Sequence, residues 1–191
     1  MKIDKNSYGT IALSWLISAA LTLLILKTIG MNTVGYTISV LVLLFSVFVT
    51  WFHRVPVRHT PEGDRIVTSG ADGKVVIIKK VYEKEYLKRE CMQVSVYMDF
   101  FNVHANFWPV TGKVSYYKYQ PGRYLLAFLP KAAEENEHSS TAIDTGKEEI
   151  FFKQIAGTFA RRIVCYSQEG SEELRGVQCG IIKFGSRFDI F

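Results

Sequence analysis

Near the C-terminus, the run Ile182-Lys183-Phe184-Gly185-Ser186-Arg187-Phe188-Asp189 sets a Gly-Ser pair inside an otherwise strand-like stretch. Such a pair is common in turns. It is also a bond open to rearrangement: a serine Oγ can attack the preceding carbonyl and turn the amide into an ester, and glycine helps because no Cβ obstructs the approach. Elimination of that ester leaves dehydroalanine, which becomes a pyruvoyl group. This second reading needs partners. Asp72, in Gly70-Ala71-Asp72-Gly73-Lys74, is a carboxylate in a tight turn, where aspartate ordinarily bonds the backbone two residues on. His104 stands among Phe100, Phe101, Phe107 and Trp108, whose rings lower the local dielectric and suit an imidazole to proton transfer, although a lone histidine is more often structural. Arg161 and Arg162 are candidates to hold a phosphate by bidentate bonds, with structural ion pairing as the competing use; adjacent strand residues point to opposite faces, so at most one serves. Lys183 and Arg187 flank the Gly-Ser bond and raise the same choice. Cys91, Cys165 and Cys179 have neither metal-site spacing nor an even count, so they read as reduced core thiols and no metal is expected.

These residues need a scaffold, and the pattern after the prolines Pro56 and Pro61 is β-rich. Short runs at 74–79, 92–98, 113–119, 124–128, 149–155, 162–166 and 180–184 alternate with turn signals such as Asp72-Gly73, Thr111-Gly112, Gln120-Pro121-Gly122, Thr145-Gly146 and Glu169-Gly170. Many short strands imply a closed sandwich or barrel. One short helix is expected over 131–137.

The N-terminal quarter differs. Residues 8–29 carry Lys27 as their one full charge and 33–52 carry none, so two apolar runs of about 20 residues follow each other, each long enough to cross a bilayer. The second excludes a simple signal peptide, and the pair reads as a helical hairpin. Lys2 and Lys5 before it, and His53, Arg54 and Arg58 after it, put both ends on the cytoplasmic side of the inner (cell) membrane. The expected organisation is a membrane anchor over 1–52, a linker over 53–61 and a mainly β domain over 62–191. The net charge of +5 is scattered rather than gathered into a patch, which argues for a membrane partner and against nucleic acid.

Taken in order, Ala71-Asp72-Gly73-Lys74-Val75, Asn102-Val103-His104 with Pro109-Val110-Thr111-Gly112-Lys113-Val114, Tyr119-Gln120-Pro121-Gly122, Glu134-Glu135-Asn136-Glu137, Gln154-Ile155-Ala156-Gly157, Ala160-Arg161-Arg162-Ile163-Val164-Cys165-Tyr166 and Phe184-Gly185-Ser186-Arg187 resemble the short, bacterial-type phosphatidylserine decarboxylases. The resemblance runs from about Phe52 to the C-terminus. It implies a barrel-sandwich domain like lipoyl and biotinyl domains, self-cleaved between 185 and 186. It also implies a covalent pyruvoyl (pyruvate) cofactor made from Ser186, and conversion of phosphatidylserine to phosphatidylethanolamine and CO2 through a Schiff base. Gly185 then ends the larger fragment, and the part from Ser186 onward is the small subunit that stays as its partner; family chains usually continue for further strands after the Gly-Ser-Arg block, whereas the sequence here runs from Ser186 only to Phe191. By position, Asp72 and His104 carry over as the groups used in maturation and decarboxylation. Longer relatives have a second histidine where this chain has Phe107, which leaves His104 to serve both steps. Phe100, Phe101, Phe107 and Trp108 are expected at the membrane surface beside the site. Two alternatives stay open: a membrane-anchored, non-catalytic carrier or adaptor module, and a decarboxylase of a related phosphoserine lipid such as archaetidylserine. Association of copies is left open.

Overall fold

The computed structural model describes residues 1–63, 65–128, 132–158, 162–183 and 185–191. The chain divides into two units, Met1–Pro56 and Val57–Phe191.

The first unit is a pair of helices, α1 (Tyr8–Thr28) and α2 (Thr33–Phe52), each long and apolar enough to cross a membrane. Between them Gly30 takes a positive φ of 94°, and Asn32 caps α2 by accepting from the Gly35 N–H at 3.0 Å. Polar side chains join the helices where lipid would offer no partner. Ser18 Oγ lies 2.7 Å from Ser46 Oγ, Ser46 Oγ donates to the Ser14 carbonyl at 3.0 Å, and Trp15 Nε1 donates to Thr50 Oγ1 at 3.1 Å. Leu13, Leu16, Leu24, Leu41, Leu44 and Phe45 stay exposed, as side chains facing acyl chains do. A short ladder, β1 (Lys2–Ile3) with β2 (Arg54–Val55), closes the two ends of the hairpin.

The second unit is mainly β, as expected. In chain order it contains β3 (Lys74–Tyr82), β4 (Glu90–Met98), β5 (Ala105–Phe107), β6 (Gly112–Gln120), α3 (Ala132–Glu135), β7 (His138–Asp144), β8 (Glu149–Ala156), β9 (Ile163–Cys165), β10 (Glu172–Glu173), β11 (Gln178–Ile182) and β12 (Ser186–Ile190). Seven strands form one antiparallel sheet in the order β10-β6-β7-β8-β12-β4-β3, and β5-β11-β9 form a second. Alternation along each strand sends one set of side chains between the sheets. Val96 and Met98 of β4, Phe152 and Ala156 of β8, and Phe188 and Ile190 of β12 meet Ile163 of β9 and Cys179 and Ile182 of β11 in one core. Within it Phe152 stacks on Phe188 with ring centroids 5.0 Å apart, and Trp108 meets Phe152 edge-on at 5.7 Å. Burial in that core pushes the Cys179 thiol well above its ordinary range, so it stays a protonated, inert thiol.

Three expectations change. The run 124–128 forms no strand; instead the Asn136 side chain satisfies its backbone, accepting from Leu125 N and donating to Leu125 O. The helix expected over 131–137 is α3 alone, with Lys131 outside the described residues. Phe107 and Trp108 are core residues, 4% and 1% exposed, so they present no membrane surface; Phe100 and Phe101 remain exposed, at 39% and 70%.

Candidate active site

Strand β12 is an interior strand of the large sheet, paired on one side with β8 and on the other with β4. Ser186 therefore stands opposite both Ala156 and Met98. Both faces of β12 are covered, and Ser186, Arg187, Phe188 and Asp189 are all fully buried. Gly185, immediately before the strand, has φ +63°, a left-handed conformation that glycine adopts without the Cβ penalty. Gly-Ser is thus the entry to a central strand rather than a reversal of the chain.

His104 reaches this entry from a turn built by reciprocal side-chain bonds. Asp99 Oδ1 accepts from Phe101 N and Asn102 N, while Asn102 Oδ1 accepts from Asp99 N. The fully buried imidazole then binds on two sides: Nδ1 lies 3.1 Å from the Asn102 carbonyl, and Nε2 lies 3.2 Å from Gly185 N. A backbone N–H can only donate, so Nε2 presents its lone pair to Gly185 and Nδ1 carries the proton toward Asn102. The His104 carbonyl also accepts from Ile182 N at 3.2 Å, so one residue brackets the approach to the Gly-Ser bond from main chain and side chain.

The Ser186 hydroxyl donates to the Met98 thioether, Oγ to Sδ 3.7 Å. Met98 belongs to a buried polar chain. Ser139 Oγ donates to Gln154 Oε1 at 2.9 Å, Gln154 Nε2 donates to Asn106 Oδ1 at 2.8 Å, and Asn106 Nδ2 lies 3.7 Å from Met98 Sδ and 3.4 Å from the Gly70 carbonyl. On the opposite face of β12, the Arg187 guanidinium forks onto Asp189, with Nε–Oδ1 at 2.8 Å and Nη2–Oδ2 at 2.9 Å. Its Nη1 donates to the Ala127 carbonyl at 3.1 Å. Gln93 adds a further donor to Asp189 at 3.1 Å.

A buried hydroxyl, a glycyl carbonyl with no Cβ beside it and an imidazole lone pair on the N–H of that same glycine form a set suited to intramolecular acyl transfer. The whole arrangement falls within residues 45–191, which match the family model for phosphatidylserine decarboxylase. The chain belongs to the phosphatidylserine decarboxylase family. It is 46% identical over 155 residues to the phosphatidylserine decarboxylase proenzyme of Syntrophus aciditrophicus, covering 81% of this chain and 73% of that one. Identity to the proenzymes of Porphyromonas gingivalis and Amoebophilus asiaticus is 38% and 39%, spanning all of this chain and 88% and 86% of theirs.

In this member of the decarboxylase family, Gly185, Ser186 and His104 share one site. Asp72 sits on its turn ion-paired to Arg58, whose guanidinium lies 5.0 Å over the Phe107 ring. Gly70, two residues before Asp72, accepts from Phe107 N at 2.9 Å, so the aspartate's turn is stitched to the strand that follows His104. Arg162 is exposed just ahead of β9, and Arg161 lies outside the described residues. Reasoning from sequence gave no role to Met98, Asn106 or Gln154, the last quoted only within a block that carries the resemblance. A usable signal was present for Gln154, which shares the β8 face of Phe152 and Ala156, where an amide is out of place unless it has a partner.

Proposed function

We propose that the chain is a phosphatidylserine decarboxylase proenzyme that severs itself between Gly185 and Ser186, carries the resulting pyruvoyl group on residue 186, and converts phosphatidylserine to phosphatidylethanolamine and CO2. The observation that carries this reading is the His104 Nε2 contact with Gly185 N, beside a fully buried Ser186. Maturation begins when the Ser186 hydroxyl leaves the Met98 thioether and gives its proton to the His104 lone pair, displacing the Gly185 N–H from it. Asn102 steadies the imidazole throughout by accepting from Nδ1. Asp72, bridged to Arg58, holds the turn that backs the His104 segment and acts as a positioning residue.

The site fits a pyruvoyl group made from Ser186: it is fully buried, backed by core side chains, and adjacent to a base. When present, that group supplies a carbonyl for the substrate amine and an electron sink for the bond that releases CO2. His104 is then the group placed to return a proton to the product carbon. Of the two candidate arginines for a lipid phosphate, Arg162 is the described one, exposed ahead of β9. The two apolar helices tie the domain to the bilayer that holds its substrate, a tether that matters because each lipid CH2 withdrawn from the membrane costs about 0.8 kcal/mol. The basic residues Lys2, Lys5, Arg54 and Arg58 favour the cytoplasmic face of the inner membrane.

The test is the mass and chemistry of the full chain purified from membranes. Expected are a fragment ending at Gly185, a small carbonyl-reactive fragment beginning at residue 186, and CO2 release from phosphatidylserine vesicles; Ser186→Ala yields one intact chain and no CO2. Decarboxylation by an intact chain with no carbonyl at 186 rejects the reading.

A further inference from the structure

Two glycines meet at the scissile peptide, and they do different things. At Gly185 the need is conformational: φ is +63°, yet a Cβ there would meet nothing within 4 Å. At Gly157 the need is space. The β8–β12 ladder pairs Ala156 with Ser186, so the residue after β8 lies against the residue before β12. A Cβ on Gly157 would overlap the Gly185 carbonyl oxygen outright, and would stand 3.0 Å from the Gly185 carbonyl carbon and 3.2 Å from Ala127 Cβ. The Gly185 N–H is meanwhile fixed on His104 Nε2 at 3.2 Å. The scissile residue is thus held at its nitrogen by an imidazole and at its carbonyl by a bare backbone.

We propose that Gly157 is a positioning residue for self-cleavage: its missing side chain lets the Gly185 carbonyl settle where Ser186 Oγ can attack it. This rests on the self-cleaving reading above. In the step concerned, Ser186 Oγ bonds to the Gly185 carbonyl carbon, the Gly185–Ser186 C–N bond breaks, and the hydroxyl proton passes through His104 to the released Ser186 nitrogen. An ester and a free amine result. Loss of the Ser186 α-proton then expels the Gly185 carboxylate and leaves dehydroalanine, and one water converts its imine tautomer to the ketone with release of ammonia. No oxidant or reductant is consumed. Only the first step depends on where the amide carbonyl sits. A methyl group at 157 must drive that carbonyl back by roughly 1 Å, a displacement of the size that costs about a hundredfold in rate when it separates reacting atoms.

Gly157→Ala in the full-length membrane chain should therefore cleave about a hundredfold more slowly than the parent. The unprocessed chain should remain an amide, with no hydroxylamine-labile ester accumulating. In the Ser186→Ala background, where no cleavage occurs, adding Gly157→Ala should leave a cooperative melt. Adding Ala127→Gly relieves the side-chain contact but not the carbonyl overlap, so it should not restore cleavage. Parental cleavage rates in Gly157→Ala, accumulation of the ester, or rescue by Ala127→Gly each overturns the proposal. So does a chain that fails to fold even with Ala127→Gly, because the overlap must be absorbed at the scissile carbonyl. If the parent itself never cleaves, the failure belongs to the proposed function instead.

Discussion

Replacing Arg187 with Met removes half of a fully enclosed ion pair one residue from the scissile bond. Among the described residues Asp189 keeps one neutral side-chain donor, Gln93 Nε2 at 3.1 Å, in place of two charge-assisted bonds at 2.8 and 2.9 Å, and the Ala127 carbonyl loses the Nη1 donor. Orphaning one member of a buried pair costs about 3–5 kcal/mol, because the remaining charge has neither water nor partner. At about 4 °C per kcal/mol for a unit of this size, the midpoint of thermal unfolding should fall by about 12–20 °C. The Ser186→Ala background keeps every molecule a single chain during the melt. The companion variant Arg187→Met/Asp189→Leu removes both charges, and Gln93 still has Ser95 Oγ to donate to at 3.0 Å. It should recover most of the loss, since apolar replacement of a buried pair is often close to neutral. A drop of less than about 4 °C for the single variant, or a double variant as unstable as the single, refutes the reasoning that the pair is dry and mutually dependent.

Burial holds the His138 imidazole below its ordinary value, with Lys153 and Lys118 pushing the same way against the Asn136 carbonyl and Glu85. Below about pH 6.5 the unfolded chain takes a proton that folded His138 resists, so stability is full above that pH and declines on acidification, by at most about 1.4 kcal/mol per unit. Melts between pH 7 and 5.5 should show this decline, and His138→Gln should flatten it; an unchanged slope rejects the assignment. Trp108→Ala should cost about 3–5 kcal/mol by emptying the core against Phe152, whereas Phe101→Ser should leave the melt within about 0.5 kcal/mol of the parent. Equal losses in the two, measured in the same background, would contradict their opposite burial.

Strands whose side chains alternate simply were legible from sequence. β3, β4, β6 and β8 fall on β-branched and aromatic runs bounded by turn residues, and their cores extend the expected ranges by only a few positions. β7 was missed because His138, Ser139, Ser140 and Thr141 read as a polar linker. All four are buried, since the strand lies between β6 and β8; Ser139 bonds Gln154 across the ladder and Thr141 bonds Ser167 of the segment after β9. β12 lies in a run that reads as strand-like, but the alternation of Arg187 and Asp189 with Phe188 and Ile190 suggests a half-exposed strand. The charged face is covered instead, and the charges answer each other. Conversely, 124–128 has strand-forming residues but no ladder to join.

The site was legible only where chemistry and order coincide. Gly185, Ser186 and His104 could be named from types and blocks, but nothing in their spacing says that an imidazole will bind the backbone 81 positions away. Of the partners that shape the site, Gln154 alone left a signal in its strand's pattern; Met98, Asn106 and Gly157 are ordinary residues made important by sheet register, which no local pattern encodes. That register also answers a difficulty in the proposed chemistry. Cutting the chain before β12 would remove its covalent tie to the rest of the sheet, yet residues 186 to 190 are paired on both sides, to Met98 through Val94 on β4 and to Ala156 through Phe152 on β8. Phe188 is locked in the core, and Arg187 and Asp189 are enclosed on the other face. Breaking the Gly185–Ser186 bond removes none of those ladder bonds. A central, doubly paired strand is thus the place where a peptide can be severed and its new terminus still remain within reach of His104.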